Sequence, residues 1–389
     1  MPEAGEKKMN FDLSEDQIMI RDLVRDFAQK EIGPKIGAYE DRHQFPKEIL
    51  TRLAEIGVLG MTVPAEHGGT RTDYLSFILA LEELARVSAT VCVIVSVHAS
   101  LFCGSLLQFG SDSQKKKYLP RAARGGILGA FSLTEPGAGS DALSLKTRAV
   151  RSGGEYILNG TKAWVTTGAE ADALIVIART GAETEAPELS AFIVEKDFPG
   201  FVVSKIEEKM GLHSSPTAMV SLEDCRVPAD NRLAEEGRGA AIALAGLDSS
   251  RIGIAAQAIG LSQQALELAV GYAKQREAFG KKIAEFQALQ FMMADIATLL
   301  EAGRLLTYRA ADLHDRGRAF GKEAAMAKLF TSEAANKIAY LALQIHGGYG
   351  YSKEYAIERI YRDARVLSIY EGTSEIQRLV IARKLLKES

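Results

Sequence analysis

The residue types best able to do chemistry stand near the end of the chain, in Tyr370-Glu371-Gly372-Thr373, where a carboxylate directly precedes a glycine. Ser374 with Gln377 three residues on has the form of a capping box. The spacing therefore predicts a final helix opening at Ser374, with Glu371 in its entry turn. A glutamate there is either a solvated turn residue or a general base. A second segment, FSLTEPGAGSDA from Phe131 to Ala142, cannot pack as a strand. Its glycines and hydroxyls make either a surface turn or a loop with exposed amides for a polar ligand. In Lys162–Thr167, alternation sets Trp164, the only tryptophan, and Thr166 on one face. That pair reads as a core indole beside a hydroxyl, or as a surface that stacks on a flat heteroaromatic ring. Lys274, Arg276, Lys281 and Lys282 cluster where a helix is expected to end at Gly280; they complement its dipole, or Arg276 holds a phosphate. Gly347, Gly348 and Gly350 follow a helix and lack the dinucleotide fingerprint spacing. They form a helix C-cap, or a point of close ligand approach with Gln344 as donor.

These segments need a scaffold. The 389 residues suggest two or three units, and 47% hydrophobic with 25% charged residues is an ordinary globular balance. A net charge of −3 gives no general attraction to nucleic acid or acidic membranes. Cys92, Cys103 and Cys225 are odd in number and lack metal-ligand spacing, which fits a reduced, cytoplasmic setting. The start of the chain has neither signal-peptide nor transit-peptide character, and no apolar run is read as spanning a bilayer. Ser14 with Gln17 predicts a capped first helix carrying Ile18, Ile20, Leu23, Val24 and Phe27. DYLSFILALEELARVSA and VCVIVSVHASLFCGSLLQFG predict a buried helical pair ending at Gly110. After Gly125 short strands take over, with Asn159-Gly160 as the expected hairpin turn of an antiparallel unit. From Gly237 helices return; Phe286, Leu289, Met293, Ile296 and Leu300 form one core stripe, and Met326, Leu329, Ile338, Leu341 and Ile345 another. The expected fold is α+β: an N-terminal helical domain (1–125), a middle antiparallel β domain (126–236) and a C-terminal domain resembling a four-helix bundle (237–389). No catalytic triad, zinc-spaced cluster or P-loop occurs. His43, His67, His98, His213, His314 and His346 stand isolated, as structural or surface residues.

In this order FSLTEPGAGSDA, KAWVTTG, REAFGKKIAEFQ, QIHGGYGYSKEYAIERIYRD and YEGTSEIQR resemble the acyl-CoA dehydrogenase family over essentially the whole chain. The wording of the C-terminal half is most similar to short-chain and short-branched-chain members. The resemblance implies FAD between the middle and C-terminal domains. Phe131, Leu133, Thr134, Gly139, Ser140, Trp164, Val165 and Thr166 match its ring side. Arg276, Phe279, Gln287, Gln344, Gly347 and Gly348 match its pyrophosphate and adenosine side, partly across a subunit boundary. Thr373 and Glu375 match further contacts. For the acyl-CoA it implies Ser140, Asp248, Ser250, Arg251, Ile254, Tyr370 and Gly372, the last leaving room for the thioester. Glu371 matches the base that takes the α-proton while hydride goes to flavin N5, giving a trans-2-enoyl-CoA. Its backbone N–H and a ribityl hydroxyl polarise the carbonyl. Burial should raise the Glu371 pKa toward neutrality. The implied partners are an electron-transferring flavoprotein and three further copies in a homotetramer. Ala278 departs from relatives with a threonine there, a loss of about 1 kcal/mol. Ser250 stands where the isovaleryl type places its base, which argues against that type. Ser88–Gly110 carries no Lys or Arg, only His98, so a glutaryl-type substrate is disfavoured and rests on His98. Branched or cyclic acyl-CoA, an oxidase, or a non-catalytic CoA- or FAD-binding scaffold are the alternatives.

Overall fold

The computed structural model describes residues 12–180 and 188–388. Helices α1 (Glu15–Phe27), α2 (Gly33–Asp41), α3 (Lys47–Glu55), α4 (Tyr74–Val87), α5 (Ala89–Ser96), α6 (Gly104–Phe109) and α7 (Asp112–Ala123) make the first part. The Ser14 hydroxyl accepts from the Gln17 N–H, and the Gln17 side chain from the Ser14 N–H, the reciprocal cap the sequence predicts. Only part of the expected apolar stripe is inside: Val24 and Phe27 are buried, whereas Ile18 and Leu23 are exposed. The stretch Ala89–Phe109 runs as one helix with a π-helical middle, Val97–Cys103, and stops at Gly110. By length and composition it is apolar enough to cross a membrane, which corrects the sequence expectation. Here it is buried, inside the fold.

Strands β1 (Gly129–Ser132), β2 (Arg148–Ser152), β3 (Glu155–Val165), β4 (Ala173–Arg179), β5 (Leu189–Glu195), β6 (Phe201–Ile206), β7 (Ala218–Pro228) and β8 (Arg232–Leu233) form one sheet. Its order is β6-β7-β3-β2-β4-β5-β8, with β1 beside β4. All pairings are antiparallel except β1–β4 and a single β2–β4 bridge. The hairpin turn falls at Gly153-Gly154, not at Asn159-Gly160. Asn159-Gly160 lies inside β3 at a bulge, where a Cβ on Gly160 would meet Thr147 Oγ1 at 2.5 Å. The Asn159 side chain instead exchanges hydrogen bonds with Asp224, at 3.0 Å and 2.8 Å.

The last part is helical: α8 (Gly239–Gln275), α9 (Gln287–Asp315), α10 (Gly321–His346), α11 (Ile357–Ala364) and α12 (Ser374–Glu388). Helix α10 packs on α8, α9 and α12, while α8 and α9 also bear on α4. The two predicted stripes hold in part. Ile296, Leu300, Ile338 and Ile345 are buried, but the inner face of α10 is chiefly alanine: Ala324, Ala325, Ala327, Ala334, Ala335, Ala339 and Ala342. Helix α8 ends at Gln275 rather than Gly280. Phe279 and Gly280 form the turn of a small hairpin, β9 (Glu277–Ala278) with β10 (Lys281–Lys282), and both have left-handed φ, 52° and 78°.

Candidate active site

Helices α8, α10 and α12 converge on the turn that carries Glu371. Two consecutive residues there are left-handed, Glu371 at φ 53° and Gly372 at φ 88°. For a glutamate that conformation costs about 1–3 kcal/mol, so the surroundings must hold it. Gln377 Nε2 donates to the Glu371 carbonyl at 3.0 Å and to the Gly372 carbonyl at 2.9 Å. Lys328 Nζ on α10 donates to the same Gly372 carbonyl at 2.7 Å. Gly372 is favoured for two reasons: its φ, and the 2.7 Å that would separate a Cβ from Gln377 Nε2 and displace that donor from the turn. Gln377 thus serves the turn, not a capping box with Ser374. The helix is capped by Thr373, whose hydroxyl accepts from Ile376 N–H at 3.4 Å, and Ser374 is the first helical residue.

The Glu371 carboxylate accepts from Ser250 Oγ on α8 at 2.5 Å through Oε2, and Oε1 has no partner among the described residues. Burial raises the pKa of this carboxyl. The Ser250 hydrogen bond and the charges of Arg251 and Lys328 pull the other way without cancelling the rise. Arg251 is itself buried and pairs with Asp248 at 2.5 Å, and Lys384 approaches Asp248 at 3.4 Å. Tyr370 is half-buried and donates to Gln257 Oε1, whose amide nitrogen is anchored on the Ala89 carbonyl at 2.7 Å. Ile254 is wholly buried in the core.

The loop after β1 is fixed by a buried ion pair. Glu135 accepts from Lys162 Nζ at 2.8 Å and from the N–H groups of Lys146 and Thr147 at 2.6 Å and 2.9 Å. Lys162 also donates to the Leu133 carbonyl at 3.1 Å, and Ala163 N–H to the Thr134 carbonyl at 2.9 Å. Burial works against the Glu135 carboxylate, but the charge and hydrogen bond of Lys162 outweigh it and hold its pKa below the usual range. The loop beyond stays open: Gly139 and Ser140 are exposed, and a Cβ on Gly137 or Gly139 would meet nothing within 4 Å. Phe131 and Leu133 line the edge of the core at 9% exposure. Trp164 is no core indole. It is 60% exposed at φ 57° and shares its outward side with half-buried Thr166, while the Val165 side chain between them points into the sheet core and leaves only backbone for a ligand.

At the far end of α8, Arg276 lies 5.4 Å from the Tyr349 ring, which brings the hairpin beside the Gly347–Tyr351 turn. Gln287, Gln344, Gly347 and Gly348 are exposed there, and Phe279 is 96% exposed. A Cβ on Gly347 or Gly348 would meet open space. Glu375 is exposed on the first turn of α12.

Sequence comparison gives these groups a setting. The family models for the acyl-CoA dehydrogenase N-terminal, middle and C-terminal domains match residues 14–126, 130–225 and 237–386. The chain belongs to the acyl-CoA dehydrogenase family. Among its relatives, an acyl-CoA dehydrogenase of Bacillus subtilis is 50% identical over 96% of this chain and 99% of its own. The caffeyl-CoA reductase–Etf complex subunit CarC of Acetobacterium woodii is 46% identical over 96% of this chain and 99% of its own. The structure of butyryl-CoA dehydrogenase from Megasphaera elsdenii superposes with a TM-score of 0.95 at 42% identity, covering 97% of this chain and all of that one. The protein is accordingly an acyl-CoA dehydrogenase, a flavin-dependent oxidoreductase. Exposed Trp164 beside half-buried Thr166, the open Gly137–Ser140 loop and the bare glycines at 347 and 348 fit such a group.

Sequence reasoning missed Lys328, Gln377 and the Glu135–Lys162 pair. The signal for Lys328 was present: it is a lone cation on the alanine face of α10. His98 also becomes clear. Its Nδ1 accepts from Gly129 N–H at 3.0 Å and its Nε2 faces the Ala122 carbonyl at 3.2 Å, and burial lowers its pKa to about 4. It is a neutral tie between the long buried helix and β1, not a cation for a distal carboxylate.

Proposed function

We propose that the protein removes the α-proton and β-hydride of a short-chain acyl-CoA to give the trans-2-enoyl-CoA, with Glu371 as the base. The observation that carries this is a carboxyl group held in a strained turn, with Oε2 fixed by Ser250, Oε1 free to receive a proton, and its pKa raised by burial. FAD, when bound, supplies the hydride acceptor. Trp164 and Thr166 would flank its ring, the Phe131–Ser140 loop its edge, and Arg276, Phe279, Gln287, Gln344, Gly347 and Gly348 its distal half. Thr373 and Glu375 are further contacts in this reading. The Glu371 N–H polarises the thioester carbonyl, while Tyr370, Ser250, Ile254, Gly372, Asp248, Arg251 and Ser140 line the acyl-CoA path. The neutral state of His98 leaves a short monocarboxylic chain favoured over a dicarboxylic one. Electron transfer to an electron-transferring flavoprotein, a homotetramer with shared sites, a cytoplasmic setting and domain boundaries at 125/126 and 236/237 complete the reading.

The CarC relative supports a second reading, reduction of an enoyl-CoA by the same groups in reverse, with Glu371 returning the proton to the α-carbon. One experiment separates the readings. Anaerobic flavin bleaching is followed with butyryl-, isobutyryl-, 2-methylbutyryl-, octanoyl-, cyclohexanecarboxyl- and glutaryl-CoA, and reoxidation of the reduced protein with crotonyl-CoA. Fastest bleaching by butyryl-CoA is expected. Preference for glutaryl-CoA, or no bleaching by any saturated thioester, would replace the first reading.

A further inference from the structure

Lys328 lies on the inner face of α10 with no exposed surface, among Ala324, Ala325, Ala327 and Thr331. A buried ammonium demands a counter-charge or a full set of acceptors. No carboxylate lies within ion-pairing distance of it among the described residues, and its one hydrogen bond runs to the Gly372 carbonyl at 2.7 Å. Arg251, the other cation near Glu371, acts on it more strongly still but pairs through Nη1 with Asp248 at 2.5 Å, its buried Nε having no partner among the described residues. The charged groups acting on Lys328 are Glu371 on the turn, Arg251 on α8, Glu375 on α12 and Glu333 on α10 itself. Of these, Glu371 exerts the strongest pull. Burial brings the ammonium down to about 8 against these attractions.

We infer that Lys328 is a positioning residue for Glu371: it pins the left-handed turn through the Gly372 carbonyl and supplies the uncommitted positive charge that favours the ionised base. The inference rests on Glu371 being the base proposed above. The geometry divides the work. Ser250 fixes one carboxylate oxygen from α8, Gln377 ties both turn carbonyls from α12, and Lys328 reaches the same turn from α10. Only Lys328 adds charge as well as a donor.

The test compares wild-type holoenzyme with K328Q, K328M and K328R. Two readouts are taken against pH: anaerobic bleaching by butyryl-CoA, and the Glu371 carboxyl stretch in infrared difference titration, with E371Q identifying the band. In K328Q and K328M the Glu371 ionisation midpoint should rise by about one pH unit. One unit below the wild-type midpoint, bleaching should then slow about tenfold, with little change in KM. K328R should restore the midpoint. K328M replaces the buried charge with an apolar chain of similar length, so it carries the test if K328Q does not fold. A role in stability alone would lower melting temperature and leave the midpoint in place. An unchanged midpoint in folded K328Q or K328M overturns the inference. If the dehydrogenase reading is itself wrong, the wild type will not bleach, yet the infrared band still reports whether Lys328 governs Glu371.

Discussion

Among the described residues two lysines have no exposed surface, and burial brings both down to about 8, but their surroundings differ in kind. Lys162 meets a carboxylate, Glu135, at 2.8 Å and a carbonyl at 3.1 Å, and its charge is cancelled within the loop that it braces. Lys328 meets only a carbonyl, and the carboxylate that acts on it most strongly is Glu371 of the turn itself, outside ion-pairing distance. A closed ion pair fixes shape. An open one leaves a field directed at a neighbour. The loop near Lys162 is thus braced beside exposed Trp164, while the turn near Lys328 is a braced and electrically biased seat for Glu371, the proposed base.

Four variants sharpen this contrast. The largest effect is expected from E371Q, which should slow anaerobic bleaching by about 10²–10⁴-fold while acyl-CoA binding and the flavin spectrum persist. Next, E135A leaves Lys162 buried without its partner and should lower unfolding free energy in urea by about 3–5 kcal/mol. An unchanged denaturation midpoint would show that the pair does not brace the loop. S250A removes the donor to Oε2, so the Glu371 pKa should climb by about one unit. Because the base works only when ionised, activity below that pKa should fall and activity well above it should recover. Stability runs the opposite way with pH: a carboxyl with a raised folded-state pKa favours folding most below its unfolded pKa, and that contribution fades as pH rises through the folded value. E371Q should therefore flatten that part of the melting-temperature profile. F279A should be smallest for the fold, within about 0.5 kcal/mol, since the ring is 96% exposed. Its effect should appear as weaker flavin retention.

Local signals were legible from the sequence, and signals that depended on distant partners were not. Ser14 and Gln17 cap α1 as their spacing predicts, because that bond closes over three residues. Asn159-Gly160 carries a strong hairpin signature, yet β3 passes straight through it. The pairing with β7 and the close approach of Thr147 decide the matter, and neither can be read from the dipeptide. Ser374 and Gln377 have capping-box spacing, but the carbonyls of the strained turn claim Gln377 and leave Thr373 to cap. For Trp164 the alternation could not tell outside from inside: the residue is 60% exposed, in a left-handed backbone conformation at an irregularity of β3. Glu371 was identifiable as a candidate from its position before a glycine; the residues that seat it come from three separate helices and had no common motif.

Helix α8 has a consequence of scale. Ser250, which touches Glu371, and Arg276, which closes the same helix, are 276 − 250 = 26 residues apart. At 1.5 Å per residue they are separated by about 39 Å. In the proposed roles the two ends of this rod serve different groups, Ser250 the acyl-CoA beside Glu371 and Arg276 the distal half of FAD, so within one chain a single helix sets the spacing between those two contacts.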